Sequence, residues 1–139
     1  MTSEADNIIG FYERHARDWV NDRLRTRLIE KDWLGRFAAL IAPRGSVLDL
    51  GCGPGKPMAA YLLAQGFGVC GIDSSSTMAA LARGNFPQSE WILADMRTLD
   101  LRRTFAAVMA WDSFFHLSYD DQGRMFPIFR AHADRKSVV

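Results

Sequence analysis

The sequence has no excess of charge of either sign. Its 139 residues carry 17 Lys and Arg against 16 Asp and Glu, a formal net charge of +1. The arginines are scattered and read as solvated faces, so there is no electrostatic footprint for nucleic acid or an anionic membrane. Cysteine is scarce. Cys52 and Cys70 do not make a disulfide framework. With three histidines and no CxxC or HxxxH spacing, no metal site is expected. Long apolar runs are missing too, since no stretch approaches the roughly 18 residues of a membrane span. The opening "MTSEADNIIG" carries two acids and no apolar run, unlike a signal peptide. A cytoplasmic protein with no nucleic-acid or membrane partner is therefore expected. There is no internal repeat and no low-complexity segment.

What is present is the mix of a globular domain, 48% hydrophobic and 24% charged, at a length that suits one domain. Ile8, Tyr12, His15 and Trp19 fall at steps of four, three and four, one face of a helix. Trp33, Phe37, Leu40 and Ile41 make a second helical face, stopped by Pro43, and "PRG" reads as a turn. Then the rhythm changes. Strands are expected at Ser46 to Leu50, Phe67 to Ile72, Trp91 to Ala94 and Phe105 to Trp111. Helices are expected at Met58 to Gln65, Thr77 to Arg83 and Asp120 to His132. Ser74, Ser75 or Ser76 can cap the second of these, and Gly84 follows its end. Strands alternating with helices imply βαβ units, hence an α/β fold with a doubly wound, mostly parallel sheet between helical layers. Apolar throughout, the strands suit burial on both faces.

The stretch "VLDLGCGPGKP", Val47 to Pro57, is the most informative. It places Gly51, Gly53 and Gly55 in the first strand-to-helix turn, where glycine admits positive φ and close approach of a ligand to the main chain. Such a turn is a cofactor cradle in doubly wound sheets. The spacing is G-x-G-x-G, not the G-x-G-x-x-G of dinucleotide folds. Pro54 and Pro57 remove two N–H donors, and Asp49 stands two residues before the first glycine. A carboxylate there would repel a pyrophosphate, yet could organise the loop or attract a cation. That speaks against a nucleotide-cofactor oxidoreductase. Asp73, in "GIDSS", lies 73 − 51 = 22 residues after Gly51. That is near the spacing at which an acid accepts from ribose hydroxyls. In "ADMR", Asp95 could accept from an adenine amino group, with Met96 flanking the ring. The three acids close three successive strands at the edge where open α/β sheets bind ligands.

Together "VLDLGCGPGKP", "GIDSS", "ADMR" and "FAAVMAWDSFFHL" resemble motifs one to four of the class I S-adenosylmethionine-dependent methyltransferases. The resemblance covers about residues 7 to 133. It implies a Rossmann-like three-layer sandwich, S-adenosyl-L-methionine as cofactor, and a small-molecule methyl acceptor, because "NPPY" or "DPPY" does not follow the fourth strand. By the same resemblance Gly51, Gly53 and Gly55, with Cys52 between them, admit the methionine moiety, and Asp49 holds the amino group or the loop. Asp73, with Ser74 beside it, binds ribose; Asp95 and Met96 bind adenine; Trp111 and Asp112 sit beside the sulfonium and the acceptor. Tyr12, His15 and Trp19, around "FYERHARDW", fold over the cofactor or form a core stripe.

His116, in "FFHLS", is a candidate general base or a packed side chain, and Phe114 and Phe115 line an acceptor pocket or fill the core. Cys52 has no evident partner base and reads as a small loop residue. The organisation expected is N-terminal helices over 1–42 and a core over 46–133, the N-terminal portion of a methyltransferase domain. The family fold has seven strands; about four are read here, which leaves the fourth with an open apolar edge. The ending "DRKSVV", 134–139, matches one reading frame of a common sequencing adapter and is expected to be a non-native tail. On these grounds the rival reading is a non-catalytic protein, or inactive fragment, that binds S-adenosylmethionine or S-adenosylhomocysteine.

Overall fold

A computed structural model describes residues 6, 9, 31–111 and 117–139. Its centre is β1 (Ser46–Leu50), buried from Val47 onward. Parallel strands covered on both faces read as apolar runs, and Asp49 is the polar residue set inside this one. The turn before it matches expectation: Arg44 takes φ 62° between Pro43 and Gly45. Beside β1 lie β2 (Gly68–Asp73) and then β3 (Glu90–Leu93) on one side. β4 (Phe105–Met109) and β5 (Ala133–Val138) lie on the other. The sheet order is β3-β2-β1-β4-β5 and every pairing is parallel. The order reverses between β1 and β4, so the switch point where such sheets bind ligands falls beside Asp49.

The described helices are α1 (Lys31–Ala39), α2 (Met58–Ala64), α3 (Ser76–Asn85) and α4 (Tyr119–His132), with a 3-10 turn at Met96–Thr98. Two apolar clusters sandwich the sheet. Leu34, Ala59, Leu62 and Ala82 of α1, α2 and α3 pack with Val47, Val69, Trp91 and Ala107 on one face. Met125 and Phe129 of α4, with Leu99, pack with Leu48, Leu50, Ile72 and Val108 on the other. No described helix is long and apolar enough to cross a membrane.

Two expectations are corrected here. The described sheet has five strands, not four, because residues 133–138 extend beside β4. The chain leaves α4 at Ala133 with φ −96° and ψ 135°, already extended, and takes up the free hydrogen-bonding groups of β4. The pairing is irregular between Phe105 and Ala107. The edge of β4 is thus covered, and most of the "DRKSVV" segment belongs to the sheet. Gly84 does not end its helix: α3 continues to Asn85, and Phe86 N–H closes it on the Ala82 carbonyl at 2.8 Å.

Candidate functional site

The glycine turn after β1 is held from inside. Gly51, Gly53 and Gly55 take φ of 78°, 56° and 82°, values that side chains other than glycine rarely adopt. The Gly51 and Cys52 amides both donate to the Ile72 carbonyl of β2, at 2.8 and 3.0 Å. Gly53 N–H donates to Asp73 Oδ2 at 2.9 Å, and Gly55 N–H to the Cys52 carbonyl at 3.2 Å. Asn85 Nδ2, on α3, donates to the Pro54 carbonyl at 3.0 Å. The Gly51, Cys52, Gly53 and Gly55 amides, which could otherwise cradle a phosphate, are spent on the protein itself, and Pro54 and Pro57 have none to give. This turn is therefore shaped for close approach and not for an anion.

Asp49 is 3% exposed, and its Oδ2 has no hydrogen-bond partner among the described residues. Burial, and then the charge of Asp73, push its carboxyl up from 3.8 to about 7. A buried acceptor without a donor is costly, and a cation placed here would relieve both the missing bond and the desolvation. Asp49 pairs in register with Met109, two residues before Trp111. Trp111 Nε1 is a second buried polar atom with no partner among the described residues. An unmet acceptor and an unmet donor thus flank the switch point.

Asp73 ends β2 and uses both oxygens. Oδ1 accepts from Ser75 N–H at 2.9 Å while Oδ2 holds Gly53. Ser75 is the N-cap of α3, its Oγ accepting from Met78 N–H at 3.2 Å; Ser74 lies half-buried at the bend before it. Cys52 is buried, and burial foremost pushes its thiol well above the ordinary range, so it is no nucleophile.

At the end of β3, Asp95 caps the 3-10 turn by accepting from Arg97 N–H at 2.9 Å. Hydrogen bonds from the Arg97 guanidinium, foremost, hold its carboxyl below the usual range. Met96 packs against the second apolar cluster. The structure therefore brings Asp49, the glycine turn, Asp73 and Asp95 to one edge of the sheet. Tyr12, His15, Trp19, Asp112, Phe114, Phe115 and His116 lie outside the described residues.

Sequence reading missed Arg97 and Asp121, which meet at this edge, and Asn85, which ties α3 to the turn. Arg97 follows Met96 directly in "ADMR", yet nothing local announces a partner 24 residues on. It also missed why Gly71 is glycine. A Cβ there would lie 2.3 Å from the Trp91 ring and 2.8 Å from Cys52 Sγ, so the indole occupies the space a side chain at Gly71 would need.

Residues 47–134, from β1 into β5, match the methyltransferase domain family. The chain belongs to that family. It is a class I S-adenosylmethionine-dependent methyltransferase domain by motif, sheet order and likeness. The trans-aconitate 2-methyltransferase of Azoarcus sp. (strain BH72) is 45% identical over 76 residues, which is 48% of this chain and 28% of that protein. The chain thus spans about a quarter of that relative. A TehB-like methyltransferase from Corynebacterium glutamicum shares the fold with a TM-score of 0.74 at 22% identity, over 92% of this chain and 70% of its own. CalS10, an amino pentose methyltransferase from Micromonospora echinaspora solved with S-adenosylmethionine bound, is 30% identical. It superposes with a TM-score of 0.64 over 75% of this chain and 44% of its own.

Proposed function

We propose that this methyltransferase domain binds S-adenosylmethionine at the C-terminal edge of β1, β2 and β3, and serves methyl transfer to a small-molecule acceptor. The observation that carries the reading is the buried Asp49 Oδ2, without a partner among the described residues, beside a glycine turn whose Gly51, Cys52, Gly53 and Gly55 amides are turned inward. Such a site rejects a pyrophosphate and suits a ligand that brings an ammonium group to the end of β1. S-Adenosylmethionine brings an ammonium, ribose hydroxyls and an adenine amino group, all donors. The acids stand in that order along the edge. Asp49 would accept from the ammonium, Asp73 from the ribose and Asp95 from the adenine, with Met96 beside the ring and Ser74 beside the ribose. The resemblance further assigns Tyr12, His15 and Trp19 to the cover of the site and Asp112 to the side of the acceptor.

When bound, the cofactor supplies a methyl group already activated on a sulfonium. What the protein adds is alignment and the exclusion of water, and alignment alone can contribute several kcal/mol. Trp111 would offer Nε1 to an oxygen of the cofactor or the acceptor. His116 would take the proton where the acceptor has one to lose. The named relatives suggest the acceptor classes to try first, a polycarboxylate such as trans-aconitate and an amino sugar.

The test is calorimetric titration with S-adenosylmethionine of the chain shown to be folded, followed by assay of S-adenosylhomocysteine formation with those acceptors. Micromolar binding, and product that depends on the acceptor, support the reading. A folded chain that ignores millimolar S-adenosylmethionine overturns it. Binding without product from any acceptor favours the rival, a protein that only holds the cofactor.

A further inference from the structure

Arg97 joins three parts of the chain that are far apart in sequence. Its side chain is 18% exposed. Nε donates to both oxygens of Asp95, at 3.0 and 3.1 Å, and Nη2 donates to Asp95 Oδ2 at 2.6 Å. Nη2 also meets Asp6 Oδ1 at 2.6 Å, and Nη1 meets Asp121 Oδ2 at 3.4 Å. Asp6 and Asp121 are 91 and 24 residues away. Asp121 is itself buried on α4, where Ser118 Oγ accepts its amide N–H at 3.2 Å.

Asp95 is therefore gripped twice by one residue, through the amide and through the planar fork of the side chain. A carboxylate held by one donor can turn about its last torsion; one held by a fork and an amide cannot. A role confined to tying β3 to α4 would need only Asp121. It would need neither the fork on Asp95 nor the bond to Asp6, which is 44% exposed.

We propose that Arg97 is a positioning residue for cofactor recognition: it aims Asp95 at the adenine amino group. The inference rests on S-adenosylmethionine being the ligand. Lysine would keep the charge but offers no planar fork, so the geometry calls for arginine.

The experiment compares S-adenosylhomocysteine with S-inosylhomocysteine, in which a carbonyl replaces the amino group. Both are titrated into the wild type and into Arg97→Gln, Arg97→Lys and Asp6→Asn, each checked for folding by circular dichroism. The wild type is expected to prefer the adenine ligand by roughly tenfold or more. Arg97→Gln and Arg97→Lys are expected to bind the adenine ligand roughly tenfold more weakly and to lose most of the preference. Asp6→Asn, which leaves the fork on Asp95 in place, is expected to keep the preference. If Arg97→Gln does not fold, Arg97→Lys, which keeps a cation among the acids, decides the same question. A folded Arg97 variant with wild-type affinity and preference overturns the positioning role. An Asp6→Asn variant that loses the preference as fully as Arg97→Gln overturns the assignment of the preference to the fork on Asp95. A wild type that binds neither ligand defeats the cofactor reading itself, and this inference with it.

Discussion

The Asp73 carboxylate accepts the Gly53 amide at 2.9 Å across 20 residues of sequence. Through its other oxygen it accepts Ser75 N–H, so one side chain holds both the turn after β1 and the start of α3. Asp73→Ala leaves both amides without that acceptor. The substitution is expected to lower the unfolding free energy by about 1–3 kcal/mol, measured by urea titration. S-Adenosylmethionine binding should weaken by a similar amount, measured by calorimetry. A variant as stable as the wild type, with equal affinity, would take Asp73 out of both roles.

Asp49 predicts a pH dependence of stability with an unusual sign for a carboxylate. Burial foremost raises its carboxyl to about 7, against 3.8 as the ordinary value that returns on unfolding. Between these values the native chain holds more protons than the unfolded chain. Stability from this group therefore falls as pH rises from about 4 to about 7, by on the order of 4 kcal/mol in all, and is level outside that window. Asp49→Asn should flatten this slope and melt higher than the wild type at pH 8. Ligand binding runs the other way. A cation at Asp49 favours the ionised form, so affinity for S-adenosylmethionine should rise from pH 6 to pH 8. Calorimetry in buffers of different ionisation enthalpy should show proton release at the lower pH. Equal slopes for wild type and Asp49→Asn would sink the idea.

The parts of the fold that could be read in advance are those where burial acts on neighbouring residues. Ser46–Leu50 is a strand within its expected bounds because both faces are covered, and the run is apolar apart from Asp49. The turn chemistry was readable for the same reason, since glycine and proline act where they stand. β5 was not readable. Its residues, Ala133 to Val138, have no apolar alternation, and they are extended because β4 offers them hydrogen bonds. α3 ran past Arg83 because Asn85 is tied to Pro54, a contact 31 residues long. The grip of Arg97 on Asp95 is local, but Asp6 and Asp121 reach it only through the folded sheet.

Gly71 and Trp91 make a prediction about the floor beneath the site. A Cβ on Gly71 would stand 2.3 and 2.4 Å from ring carbons of Trp91. The indole cannot easily yield, because Trp91 Nε1 donates to the Phe86 carbonyl at 2.8 Å and the ring is 4% exposed. Gly71→Ala should therefore cost about 1–3 kcal/mol or more through overpacking. Adding Trp91→Leu to Gly71→Ala should cost less than Trp91→Leu and Gly71→Ala summed, because the smaller side chain removes the clash. Additive losses in a double-mutant cycle by urea unfolding would refute the steric account.

His132 provides the contrast, a buried polar residue away from the ligand edge. It is 1% exposed, with Nε2 accepting Leu101 N–H at 3.0 Å and Nδ1 at 2.8 Å from the Ile128 carbonyl. A neutral ring with its proton on Nδ1 meets both partners. Leu101 leads into β4 and His132 leads into β5, so the bond fixes where both strands begin, at the end of the sheet opposite the glycine turn. His132→Phe keeps the ring volume but leaves Leu101 N–H without that acceptor, and should lower stability by about 1–3 kcal/mol. His132→Gln, which retains an acceptor, should lose less. Since the change lies at the far end of the strands, affinity for S-adenosylmethionine in the folded variant should stay within about twofold of the wild type, an energy difference below about 0.5 kcal/mol. A large loss of affinity at unchanged stability would mean that the two ends of the sheet are coupled, and that the ligand edge is not set by Asp49, Asp73 and Asp95 alone.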